Sequence, residues 1–236
     1  MKTYLIVGSE SSIAKYYIEN YISRTNDKII CIDIRENSNH YSNVKSFKFD
    51  VKDNESYYNF INYLTNSNLK IDNVLFSIGS NPMKNFFEST IENFKQTIDI
   101  NLISFFILIK KIFRFLNPQC SIIAIGSQNS IVGQNDRIDY STSKAALAQL
   151  VKNIQLDFSK YSDKDIKVNC ISPGFIATNK NVPIQKYEIE TLLSKNINNK
   201  YVELYEISQI INMLFDDNIN SFKGANIVID NGYTIK

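Results

Sequence analysis

The stretch Tyr4-Leu5-Ile6-Val7-Gly8-Ser9-Glu10-Ser11-Ser12-Ile13-Ala14 decides the fold. Four apolar residues of strand length run into a glycine, then a serine-rich turn, then a segment of helical period over residues 12–23. A short continuous apolar run suits a strand covered on both faces. A turn of small residues between strand and helix lets backbone approach a pyrophosphate, whose charge the start of the helix attracts. A serine cap on a purely structural helix would look similar.

The same alternation continues along the chain. Short runs rich in Ile, Val and Leu lie at 4–7, 28–33, 73–76, 121–125, 167–171 and 226–229, and segments of helical period at 12–23, 54–66, 91–116, 140–161 and 203–215. Strand–helix alternation predicts right-handed βαβ units. The expected fold class is α/β: a single Rossmann-like domain over residues 1–236, its doubly wound parallel sheet flanked by helices on both faces. Residues 175–200 break the pattern. They follow a strand, where ligands bind in such sheets, and read as a substrate loop or lid; a solvated excursion is the alternative.

Composition narrows the chemistry. The 236 residues include one histidine (His40) and three cysteines far apart (Cys31, Cys120, Cys170). A histidine triad, a multi-histidine metal site, a Cys-x-x-Cys zinc site and a disulfide framework are therefore disfavoured, and no metal is expected. Lys and Arg number 26 against 24 Asp and Glu, with no long basic run, so no nucleic-acid partner is expected. The most apolar stretch, 98–112, is broken by Asp99, Asn101, Ser104, Lys110 and Lys111 and is too short and polar to span a bilayer. The first seven residues lead straight into Gly8 without a secretory core. A cytoplasmic enzyme with a small-molecule substrate is the expectation.

Chemistry concentrates in Tyr140-Ser141-Thr142-Ser143-Lys144. Residues four apart on a helix share a face. An ammonium beside a phenol favours phenolate and lowers its pKa, which tunes a tyrosine for proton transfer. Ser127 follows the strand at 121–125 and could hydrogen-bond a substrate carbonyl. Asp33 ends the second strand, where a carboxylate accepts ribose hydroxyls and repels a 2′-phosphate. Glu10 adds to that repulsion, whereas Arg35 could pair with a phosphate. NAD is favoured and NADP remains possible.

Gly8…Ser12-Ile13-Ala14, Asp33, Asp50-Val51, Ser77-Ile78-Gly79, Asn101, Ser127, Tyr140…Lys144, Pro173-Gly174…Thr178 and Lys223-Gly224…Asp230-Asn231-Gly232, in this order and spacing, resemble the short-chain dehydrogenase/reductases over nearly the whole chain. The length and Tyr-x-x-x-Lys place it with the single-domain branch. The resemblance implies an NAD(P)(H)-dependent oxidoreductase interconverting a secondary alcohol and a ketone, a homodimer or homotetramer, and roles by position. Tyr140 would be the general acid/base. Lys144 would depress its pKa and hold the nicotinamide ribose. Ser127 would orient the reacting oxygen, and Asn101 would position a water of the proton relay. Gly8, Ser11, Ser12, Ile13, Asp33 and Ser77 would bind the cofactor, with Asp50 and Val51 at the adenine and Gly79 giving backbone room. Ile171, Pro173, Gly174, Ile176 and Thr178 would line its nicotinamide and pyrophosphate side.

Three departures stand out. Ser12 and Ala14 occupy positions where the family usually has glycine, Phe76-Ser77-Ile78-Gly79 replaces Asn-Asn-Ala-Gly, and Asp230-Asn231-Gly232 replaces Asp-Gly-Gly. Asn231 can still adopt a left-handed turn. A small polar substrate, sugar- or polyol-like, fits the Asn- and Lys-containing 175–200 segment. A 3-oxoacyl-carrier-protein reductase and a catalytically silent dinucleotide-binding or scaffold protein are the alternatives.

Overall fold

A computed structural model of the chain describes residues 1–36, 41–177 and 186–236. Seven strands, β1 (Thr3–Val7), β2 (Lys28–Asp33), β3 (Val44–Lys48), β4 (Ile71–Phe76), β5 (Leu116–Ile125), β6 (Lys167–Pro173) and β7 (Asn226–Ile229), form one sheet in the order β3-β2-β1-β4-β5-β6-β7. Every pairing is parallel. The strand order reverses between β1 and β4, which opens a crevice beyond their carboxyl ends.

Among the described residues there are seven α-helices: α1 (Ser12–Tyr17), α2 (Asn54–Ser67), α3 (Ile91–Ile98), α4 (Ser104–Ile112), α5 (Ile138–Tyr161), α6 (Lys186–Leu193) and α7 (Leu204–Phe215). Successive strand side chains point to opposite faces. Leu5, Val7, Ile30 and Ile32 bury on one face with Phe60 of α2, Phe105 of α4 and Leu147 of α5. Tyr4, Ile6, Ile29 and Cys31 bury on the other with Ile13 and Tyr17 of α1 and Ile207 and Ile211 of α7. Each such side chain contributes roughly 1.5–3 kcal/mol on leaving water. The expected two-faced, doubly wound sheet is therefore present.

Three elements differ from the sequence reading. β3 was not anticipated: Val44-Lys45-Ser46-Phe47-Lys48 is a partly exposed edge strand whose lysines guard the open edge and dilute its apolar signal. The helix expected over 91–116 is not continuous. A π-helical turn at Asp99–Ile103 separates α3 from α4, a 3₁₀ turn at Phe113–Phe115 follows α4, and β5 already begins at Leu116. Pro118 is tolerated in β5 because the pairing with β4 shifts register between Ile71 and Asn73. The first helix likewise passes into a π turn at Ile18–Ile22.

Of the 175–200 segment, residues 178–185, with the expected cofactor residue Thr178, lie outside the described residues. The described parts, 175–177 and 186–200, include α6, and Ile176 forms a parallel bridge with Val202 just beyond the segment. Among the described residues no helix is long and apolar enough to cross a membrane, and no cluster of three or more His, Cys, Asp or Glu side chains could hold a metal ion.

Candidate active site

The crevice is a cleft of about 970 Å³. It brings together Gly8, Ser11, Ser12, Ile13, Asp33, Asp50, Val51, Ser77, Gly79, Ser127, Tyr140, Lys144, Pro173, Gly174 and Ile176 from six strand ends and the helices that follow them. Of the expected site residues, Asn101 does not line it.

At the β1–α1 turn, Gly8 has φ +78°, and a Cβ there would sit 2.9 Å from the Ser77 backbone carbon and oxygen. Both facts require glycine. Ser12 and Ala14 do not have positive φ, so the missing family glycines are not needed for backbone conformation. Ser11 caps α1, its Oγ accepting the Ala14 N–H at 3.2 Å, and shares a 2.7 Å hydrogen bond with Ser77 Oγ. The Ser77 N–H donates to the Val7 carbonyl at 2.8 Å. Ser77 thus ties β4 to β1 where the family usually has an amide side chain.

Asp33 is buried at the end of β2. Its Oδ2 accepts the Glu10 N–H at 2.9 Å, and its Oδ1 accepts the Arg35 N–H at 2.9 Å. Arg35, weighed in the sequence as a phosphate partner, turns its Nε to the same Oδ1 at 3.3 Å. Oδ1 thus accepts twice, while Oδ2 retains acceptor capacity for a hydroxyl in the cleft.

At the other end, Ser127 follows β5 in extended conformation, its Oγ accepting the Asn129 N–H at 3.2 Å. Its hydroxyl lines the same cleft as the Tyr140 phenol, near enough to favour the phenolate. Lys144, one turn after Tyr140, is 3% exposed and donates from Nζ to the Ile125 carbonyl at 2.7 Å. A Cβ on Gly79 would lie 3.5 Å from that Nζ, so this glycine leaves space at the ammonium.

The expected electrostatics need correction. Tyr140 is not lowered but raised, by burial, with the Ser127 hydroxyl and the Arg137 charge opposing. Lys144 points its charge at backbone carbonyls, its Nζ 5.9 Å from the phenol ring centre. Burial pulls its own pKa down to about 8.

Asn101 sits fully buried in the π turn. Its Oδ1 accepts the Ser80 N–H at 2.7 Å, and its Nδ2 donates to the Ser80 carbonyl and to Ser143 Oγ, both at 2.9 Å. The two amide hydrogens are thereby used. Ile171, expected beside the nicotinamide, is instead buried in the core within β6. Sequence reading also passed over Met83, which lines the cleft with φ +57°, and Arg137. Arg137 lies three positions before Tyr140, a spacing that could have singled it out. Asn231 does take the left-handed turn, at φ +54°.

The residues fit a dinucleotide. The cleft is lined both by an acidic hydroxyl acceptor, Asp33 after β2, and by the Ser127–Tyr140 pair after β5. Glycines line it at Gly8 and Gly79, and at Gly8 a Cβ would meet the Ser77 backbone.

Comparison with known proteins agrees with this geometry. Residues 13–234 match the family model described as Enoyl-(Acyl carrier protein) reductase. Glucose 1-dehydrogenase 2 of Bacillus subtilis (strain 168) is 28% identical over 152 residues, 63% of this chain but only 58% of that protein's length. The 3-oxoacyl-acyl-carrier-protein reductase FabG of Buchnera aphidicola subsp. Schizaphis graminum is 26% identical over 239 residues, covering 98% of this chain and 96% of the relative. The solved structure of 4-hydroxyisoleucine dehydrogenase complexed with NADH superposes with a TM-score of 0.90 at 26% identity, covering 100% of both chains. The chain belongs to the short-chain dehydrogenase/reductases, a family of oxidoreductases.

Proposed function

We propose that the protein is an NAD(H)-dependent oxidoreductase interconverting a secondary alcohol and a ketone on a small polar, sugar- or polyol-like substrate, with one domain carrying both sites. The observation that carries this reading is the Ser127–Tyr140 pair, brought together in one cleft with Asp33. A nicotinamide, when bound, accepts or supplies the hydride. Ser127 orients the substrate oxygen. Tyr140, held above its ordinary value by burial, carries its proton at neutral pH and donates it to the carbonyl oxygen during reduction. Lys144 offers its ammonium hydrogens to the nicotinamide ribose. Asn101 is a positioning residue, joining Ser80 to Ser143 and so fixing the loop after β4 against α5.

Asp33 takes the adenosine ribose hydroxyls, and Asp50 and Val51 flank the adenine. Gly8, Ser11, Ser12, Ile13 and Ser77 face the pyrophosphate. Pro173, Gly174, Ile176 and Thr178 cover the nicotinamide side, and the 175–200 segment covers the substrate. NAD is preferred over NADP because Asp33 occupies the 2′-hydroxyl position and draws Arg35 away from a phosphate. The three cysteines are buried and none is in a disulfide, which suits a cytoplasmic setting. Phe106 and Leu156 are exposed on α4 and α5 while Phe105 and Ile109 face the core, which supports a homodimer or homotetramer through those helices.

A second reading, 3-oxoacyl-carrier-protein reduction, is favoured by the full-length similarity to the Buchnera reductase. A turnover screen with NAD and NADP in parallel, covering polyols, sugars, hydroxy acids and acetoacetyl thioesters, tests both. Turnover with NAD on a polar alcohol is expected. Faster reduction of the thioester with NADPH would replace the first reading with the second. NADH binding without turnover of any substrate would overturn both.

A further inference from the structure

Beside the cleft lies a second cavity of about 680 Å³, walled by continuations of the same two segments. Ser80, Asn81 and Met83 line the cleft, and Asn85, Phe86 and Phe87 line the neighbouring cavity; Ser127 and Tyr140 line the first, and Gln134, Arg137 and Ser141 the second. Among the described residues, one cationic side chain lines this second cavity, that of Arg137, together with one acidic side chain, that of Asp136.

Arg137 is held there by the backbone. Asp136 before it adopts φ +57°, a left-handed conformation that costs on the order of 1 kcal/mol outside glycine. Arg137 itself stands at the N-cap of α5 with φ −138° and makes no side-chain cap bond. Its partly buried guanidinium donates from Nη1 to the Asp136 carbonyl at 2.8 Å. A guanidinium has five donors. Among the described residues it makes no other hydrogen bond, and no carboxylate lies within ion-pair distance. A partly desolvated, forked donor set lines a cavity beside the Tyr140 segment. Its charge is felt at the phenol, where it favours the phenolate. Asp136 and Asp139 lie near enough to favour the charged guanidinium. Asp139 is itself occupied, accepting from Thr97 Oγ1 at 2.7 Å and the Tyr140 N–H at 2.8 Å.

We propose that Arg137 binds a carboxylate of the substrate, so that the alcohol or ketone presented to Ser127 and Tyr140 belongs to a hydroxy or oxo acid. The proposal rests on the oxidoreductase reading and narrows its polar substrate to an anionic one. Arg137 lies three positions before Tyr140, close enough for its charge to act on the phenol. A carboxylate a few carbons from the reacting oxygen would therefore span the two. The planar fork suits bidentate carboxylate capture, which lysine cannot reproduce.

The test uses 3-hydroxybutyrate, malonate and succinate, each beside its methyl ester, titrated calorimetrically onto the protein with and without NADH. We expect at least one acid to bind about tenfold or more tightly than its ester. That preference should fall about tenfold in Arg137→Gln and be partly regained in Arg137→Lys, with both variants folded by circular dichroism. An equal acid-to-ester ratio in wild type and Arg137→Gln overturns the proposal, as does a wild type that prefers no acid in the series. Failure of NADH to bind overturns the oxidoreductase reading instead, and the titrations without nucleotide still decide the role of Arg137.

Discussion

Lys144 Nζ and the Ile125 carbonyl, 2.7 Å apart, join α5 to the last residue of β5. Two residues beyond Ile125 stands Ser127, and one helical turn before Lys144 stands Tyr140. The bond therefore sets the serine and the tyrosine against each other across two elements. It places an ammonium in a buried position, where desolvation pulls its pKa to about 8.

That depression makes stability depend on pH. Between about 8 and the ordinary value of 10.5, the unfolded chain holds a proton on Lys144 that the folded chain has released. Stability on this group's account is penalised in full below pH 8 and recovers as pH rises through that window. Lys144→Met removes the dependence. The unfolding free energy of wild type minus that of the variant should grow by on the order of 2 kcal/mol from pH 7 to pH 10. Urea denaturation at pH 7, 8.5 and 10 measures it, and a constant difference would show that the lysine is not desolvated.

Tyr140→Phe keeps the ring and removes the proton. Turnover should drop by about 10²–10⁴-fold or more, while NADH affinity by fluorescence titration stays within about threefold. Near-full activity in the variant would remove Tyr140 from the mechanism.

Asp33→Ser releases Arg35 from its 3.3 Å contact and removes a carboxylate from the ribose end of the cleft. KM for NAD should rise about tenfold, and KM for NADP should fall, because the freed guanidinium can meet a 2′-phosphate. Steady-state kinetics with both cofactors checks the direction. An unchanged NAD-to-NADP ratio would place the ribose elsewhere.

Gly8→Ala puts a Cβ 2.9 Å from the Ser77 backbone at φ +78°. Strain of about 1–3 kcal/mol is expected, lowering Tm by several degrees at this chain length, together with loss of NADH binding. Ser12→Gly is the control: Ser12 lacks positive φ, so the added glycine should not raise Tm. A Gly8→Ala protein as stable as wild type would show that the β1–β4 junction relaxes freely.

Much of the fold was legible because apolar runs and helical periods are local. Thr3–Val7, Lys28–Asp33 and Ile71–Phe76 are central or near-central strands covered on both faces, and they read as continuous apolar runs. β3 escaped because an edge strand needs only partial cover and carries lysines. The π turn at Asp99–Ile103 escaped because one extra residue in a helical turn hardly alters apolar periodicity. Its cause is long-range: Asn101 reaches Ser80 and Ser143, 21 and 42 residues away.

The strand–helix alternation, the glycine at the first turn and the Tyr140–Lys144 spacing were decided within short windows of sequence, since each depends on local periodicity and sterics. Tertiary packing decided where the charges act. Lys144 meets the end of β5 instead of the phenol, Arg35 turns to Asp33, and Arg137 opens toward the space beside Tyr140. Charge interactions depend on distance and on how much water remains, and neither is set until distant segments pack together.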